Sequence, residues 1–142
     1  MPSPISEYRL KRRVHFYETD LAGIVHFSYF YRYLEEAEHA LWREAGLSIA
    51  PRGAEIGFPR VAASFDFYRP LRFEDEFEIW IRVTAITDTT ISYTCELSSG
   101  EARVATGSLT IACVSKRHNE PLRPIPIPQD IAQRFEICRK ED

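Results

Sequence analysis

The chain has 142 residues, a formal net charge of -3, and 44% hydrophobic and 27% charged side chains, values that describe one folded domain with a real core and exclude wholesale disorder. The acidic balance argues against nucleic acid as a partner. Apolar runs too short for a bilayer, and an N-terminus (MPSPISEYRLKRR) without the apolar stretch of a signal peptide, set the expectation of a cytoplasmic protein with no membrane partner.

Residues Tyr8 to Tyr17 place Tyr8, Leu10, Val14 and Phe16 on one phase and Arg9, Lys11, Arg13 and His15 on the other, which predicts a first strand with one solvated face. The loop Asp20-Leu21-Ala22-Gly23 ends it. Ser28 is the expected N-cap of a long helix and Gly46 its C-terminal stop. Phe30, Tyr33, Leu34, Ala37 and Leu41 recur at i, i+3 and i+4 spacing and form the face expected to pack on the core. Tyr31, Glu35, Glu38 and Trp42 fall on its flank, as boundary residues or as contacts to a second subunit.

After a loop rich in Gly and Pro (Pro51 to Pro59) the period changes to two. Val61, Ala63, Phe65 and Phe67 alternate with Ala62, Ser64, Asp66 and Tyr68 in a second strand that closes at Arg69-Pro70. Phe77, Ile79, Ile81, Val83 and Ala85 alternate with Glu76, Glu78, Trp80, Arg82 and Thr84 in a third. A turn at Asp88-Thr89-Thr90 leads to a fourth with Ile91, Tyr93, Cys95 and Leu97 on one face, and the turn Ser98 to Glu101 to a fifth over Ala102 to Val114. The tail Pro121 to Pro128 is too Pro-rich for regular structure; Pro128 suits the first turn of a short last helix with Ile131, Phe135 and Cys138 as its buried stripe.

The order of elements gives an α+β domain over 1–142 with a mainly antiparallel sheet. One helix covers only part of such a sheet and long strands leave open edges, so self-association is expected. Three widely separated cysteines, Cys95, Cys113 and Cys138, support neither a disulfide framework nor a zinc knuckle, and the first two read as reduced core residues.

Phosphate loops, dinucleotide fingerprints and the serine nucleophile elbow have no matching motif. His15, His26, His39 and His118 do not pair with a second His or Cys at metal-ligand spacing. Attention therefore falls on Asp20. A carboxylate beside a helix start lies near unpaired N–H groups and a partial positive charge, which attract a carbonyl oxygen or an anion. Asp20 then either attacks a polarised carbonyl, directs water at it, or serves only as a turn residue. His26 likewise either donates to a substrate carbonyl or packs in the loop. Arg9, Lys11, Arg12 and Arg13, and Lys116, Arg117 and His118, form basic clusters that are solvated surface or meet ligand phosphates.

The stretch Thr19 to Ala37, T-D-L-A-G-I-V-H-F-S-Y-F-Y-R-Y-L-E-E-A, resembles the signature of the hot-dog-fold acyl-CoA thioesterases, in the branch of 4-hydroxybenzoyl-CoA thioesterase. The agreement continues through Glu44-Ala45-Gly46, Ile56-Gly57-Phe58-Pro59, Tyr68-Arg69-Pro70-Leu71 and Pro124-Ile125-Pro126. The resemblance implies a long central helix wrapped by a curved five-stranded, mainly antiparallel sheet. It also implies hydrolysis of an acyl-CoA thioester to free acid and coenzyme A.

On this likeness Asp20 takes the place of the catalytic nucleophile or general base, and the Phe27 backbone N–H that of the oxyanion donor, with His26 beside it. Gly23, Phe30, Gly57, Phe58, Arg60 and Arg69 are candidates for contacting substrate. No metal and no separate cofactor is implied, since coenzyme A enters with the substrate; a homodimer or homotetramer is. Two departures stand out: some relatives carry His at the position of Phe27 rather than before it, and Asp88-Thr89-Thr90 lacks the basic residues some use on phosphates. Arg60, Arg69, Arg72, Lys116 and Arg117 are the substitutes. A non-hydrolytic acyl-CoA or fatty-ligand binding module and hydration of an enoyl thioester are the alternative readings.

Overall fold

The computed structural model describes residues 3–117 and 119–140, so His118 of the basic cluster lies outside the described residues. In chain order the elements are β1 (Glu7–Arg13), a 3-10 turn (Phe16–Glu18), α1 (Ser28–Glu44), β2 (Ile56–Gly57), β3 (Arg60–Phe67), β4 (Glu76–Ile86), β5 (Thr90–Ser99), β6 (Ala102–Ala112), β7 (Val114–Ser115), β8 (Arg123–Pro124) and α2 (Gln129–Ala132). Five strands form one antiparallel sheet in the order β1-β4-β5-β6-β3. β2, β7 and β8 make a small second sheet. With a single long helix packed on the large sheet, this is the hot-dog arrangement.

The period-two patterns of β4 and β5 hold: Phe77, Ile79, Ile81 and Val83, with Ile91, Tyr93, Cys95 and Leu97, are all buried against α1. Each such side chain contributes roughly 1.5–3 kcal/mol through burial. Burial also pushes the Cys95 thiol up to about 12, in keeping with an inert core residue. The end of α1 is a Schellman cap: Gly46, at φ +80, donates to Arg43 O, and Leu47 donates to Trp42 O.

Several expectations are corrected. The first strand stops at Arg13, because the chain turns into the 3-10 segment and carries Phe16 out to 72% exposure. Ser28 is the first helical residue and Phe27 takes the cap position, with the Ser28 N–H donating to His26 Nδ1. Glu38 and Trp42 lie in the core rather than on a flank, since α1 is covered over more of its circumference than one stripe. Trp80, expected on the solvated face, is covered by the Arg9 and Arg82 guanidiniums, each 4.1 Å from its ring. The Pro51 to Pro59 loop contributes β2, the fifth strand breaks at Cys113, and Arg123–Pro124 pairs as β8 within the Pro-rich tail. The last helix is a single turn, leaving Ile131 and Cys138 only half-buried beside a buried Phe135.

β3 is the informative exception. Its residues alternate as those of β4 do, yet Val61 and Phe67 remain exposed because the strand pairs only with β6 and its other edge is open. Opposite Phe65 in the ladder sits Gly107, and the Phe65 ring lies where a Gly107 Cβ would be, 2.6 Å from it. Among the described residues no helix is long and apolar enough to cross a membrane.

Candidate active site

The Asp20 loop is a small hairpin drawn closed at its neck. The His26 N–H donates to Glu18 O at 2.9 Å, Thr19 bridges Val25, and the Asp20 N–H donates to Ile24 O at 2.9 Å. At the tip Gly23, at φ +78, donates to Asp20 O and closes a turn that an L side chain would strain. The Ala22 N–H donates to Asp20 Oδ1 at 2.8 Å, an Asx turn that fixes one carboxylate oxygen. A bond from the Val25 N–H to Leu71 O ties the loop to the segment after β3.

Beyond the neck the chain enters α1, whose first N–H groups have no helical acceptor. The Ser28 N–H is taken by His26 Nδ1 and the Tyr29 and Phe30 N–H groups by local carbonyls, whereas the Phe27 N–H meets no acceptor among the described residues. The Ser28 hydroxyl also lies 2.9 Å from His26 Nδ1. With Nδ1 accepting, a neutral His26 carries its proton on Nε2.

Asp20, His26 and Phe27 line one cleft of about 570 Å³. Phe30 and Phe67, which meet edge to face at 5.0 Å, line it too, as do Tyr68 and Arg69. The walls are thus largely aromatic, and the cleft is also lined by Asp20 and by Arg69, which has no ionic partner among the described residues. Gly23 shapes the loop without lining the cleft.

The remaining candidates stand elsewhere in the protomer. Gly57, Phe58 and Arg60 line a separate cleft of about 310 Å³ with Lys116, and Arg60 is engaged by Glu38 and, at 3.2 Å, by Glu35. Sequence reasoning passed over the cleft residues Ile24 and Pro70, and over the group beneath the loop neck: Arg12, Glu18, Tyr33 and Glu36. A signal was there. Arg12 occupies the same phase as Tyr8, Leu10 and Val14, and a cation pointing inward from a strand requires a buried anion. Among the described residues no group of His, Cys, Asp and Glu is placed to hold a metal ion.

Residues 14–135 match the model of the thioesterase-like superfamily, and the chain belongs to that family. Its class is thioester hydrolase. Among relatives, it is 28% identical over 130 residues to a 1,4-dihydroxy-2-naphthoyl-CoA hydrolase of Thermosynechococcus vestitus, covering 89% of this chain and 87% of that one. Among solved structures it is similar to a protein of Aquifex aeolicus (TM-score 0.83, 26% identity, 91% and 99% of the two chains). It is also similar to a gentisyl-coenzyme A thioesterase (TM-score 0.79, 27% identity, 88% and 99%).

Proposed function

We propose that this protein hydrolyses an acyl-CoA thioester to the free acid and coenzyme A, with Asp20 as the catalytic carboxylate and the Phe27 N–H as oxyanion donor. The observation that carries this reading is the pairing, in one aromatic-walled cleft, of an exposed carboxylate with a backbone N–H that has no acceptor among the described residues. A thioester carbonyl is poorly stabilised by resonance and its thiolate leaves readily. A fixed donor at the developing oxyanion and a carboxylate that attacks the carbon, or removes a proton from the attacking water, therefore suffice. The sulfur departs and is protonated, and water supplies the new acid oxygen.

The aromatic walls favour a flat acyl group, which agrees with relatives named for 1,4-dihydroxy-2-naphthoyl-CoA and gentisyl-CoA. Arg69, exposed in the cleft and without an ionic partner among the described residues, is the residue best placed to meet an anionic part of the substrate. A second copy of the chain completes the site: the open edge of β3 carries Phe67, which also lines the cleft, so pairing along that edge would wall the cleft in as a dimer or tetramer.

The test is thiol release from a panel of aromatic and straight-chain acyl-CoA esters, run on the wild type and on Asp20→Asn. The expected outcome is turnover greatest on an aromatic ester and reduced by about 10²-fold or more in Asp20→Asn, with both proteins holding the mass of two or four chains. Full turnover by Asp20→Asn would remove the carboxylate from the mechanism.

A further inference from the structure

Directly under the Asp20 loop lies a polar junction that the chemistry just proposed does not use. Glu18 is 1% exposed. Its Oε1 accepts from Arg12 Nη1 (2.8 Å), the His15 N–H (2.8 Å) and the Tyr33 hydroxyl (2.9 Å), and its Oε2 accepts from Arg12 Nη2 (2.6 Å). Arg12 is just as fully used. Its other N–H groups go to Glu36 Oε1 (2.7 Å), Glu36 Oε2 (3.3 Å) and Arg13 O (3.0 Å), so all the donors of the guanidinium have acceptors. The planar fork also lies over the Tyr33 ring at 4.6 Å. One carboxylate therefore joins β1, the 3-10 turn and α1.

The position of Glu18 in the chain gives this junction its meaning. Asp20 is two residues further along, and the Glu18 carbonyl accepts from the His26 N–H, one residue before Phe27. The tip is bonded only within the loop itself, with Leu21 fully in solvent, so the separation between carboxylate and oxyanion donor is set at the neck. We propose that Glu18 is a positioning residue. Held by Arg12 and Tyr33, it sets the neck across which Asp20 and the Phe27 N–H face one substrate carbonyl. This inference rests on the roles proposed for Asp20 and Phe27.

Displacement of a reacting group by about 1 Å can cost about 10²-fold in rate. Glu18→Gln, which turns an amide N–H toward Arg12, is accordingly expected to lower kcat about 10- to 100-fold with KM changed less than about 3-fold. Tyr33→Phe, which removes one hydroxyl and leaves the Arg12 fork, should lower kcat about 3- to 10-fold and serves if Glu18→Gln does not fold.

Both changes are to be repeated in Asp20→Asn, where a group acting through Asp20 has nothing left to position and residual turnover should fall no further. Amide exchange supplies the readout that general destabilisation would not give: exchange at Gly23 and His26 accelerated by a larger factor than in the β4–β5 ladder, which follows the global stability. A kcat within about 2-fold of wild type in both variants, or an equal fold-loss in the Asp20→Asn background, would overturn the proposal. Should Asp20→Asn keep full turnover, the catalytic reading fails instead, and the exchange pattern alone decides whether Glu18 sets the neck.

Discussion

Glu18 and Glu38 are both sealed from solvent, and each faces an arginine reaching over from a strand, Arg12 of β1 and Arg60 of β3. Their surroundings nevertheless drive them in opposite directions. Burial pushes the Glu18 carboxyl up, but the Arg12 fork, the His15 N–H and the Tyr33 hydroxyl more than reverse this and hold it below its ordinary value. Burial pushes the Glu38 carboxyl up as well, and there Arg60 and the nearby Tyr93 hydroxyl reverse it only in part, leaving it raised. Glu38 Oε2 has no hydrogen-bond partner among the described residues, and Arg60 divides its charge with Glu35. Both carboxylates are sealed from solvent, but Glu38 lies deeper in the protein and has fewer donors aimed at it, and depth and donors together decide whether the charge is tolerated.

The largest expected effect follows from removing the well-served charge. At pH 7, Glu18→Gln should lose about 2–4 kcal/mol of unfolding free energy in urea, because Arg12 keeps its charge with only the half-exposed Glu36 left. The sign with pH follows from the depressed folded value. The contribution is fully present above the ordinary value of 4.5 and disappears as pH falls through the lower folded one. The gap between wild type and variant should therefore close in acid; a gap independent of pH would contradict the account.

Tyr33→Phe, which removes one donor of the set, should cost about 1–2 kcal/mol in the same measurement. The smallest effect belongs to Glu38→Gln, expected within about 1 kcal/mol of wild type at pH 7 and on the stabilising side. A raised folded value means that the penalty of the charged form is absent below 4.5 and grows as pH rises through the folded value. Thermal scans should then show Glu38→Gln gaining on wild type from pH 4.5 upward. A loss as large as that of Glu18→Gln would erase the distinction between the two sites.

The same contrast explains how far the sequence could be read. Periodicity reported α1, β4 and β5 correctly because their burial follows their spacing: Phe30, Tyr33, Leu34, Ala37 and Leu41 face the core, as do the alternating residues of the two central strands. Spacing failed where a neighbour from elsewhere in the chain changes a residue's surroundings. Trp80 is covered by arginines, Trp42 meets Phe58 and Phe135, and Val61 stays exposed because β3 has a partner on one side only. Asp20 stood out in the local pattern of loop and helix start, Phe27 came from the family resemblance, and both line one cleft. The Glu18 junction joins residues up to 24 positions apart, as between Arg12 and Glu36, and only the inward phase of Arg12 announced it.

The pairing of Gly107 with Phe65 reaches further than its place in the sheet. Phe65 stacks on Phe67 at 5.8 Å and meets Phe30 at 6.0 Å, both of them cleft residues, while Gly107 itself touches no part of the cleft. Even an added methyl at position 107 would displace the Phe65 ring and, through Phe67 and Phe30, reshape the cleft. Substrate choice in such a protein can drift through mutations at a site that a catalogue of pocket residues would omit.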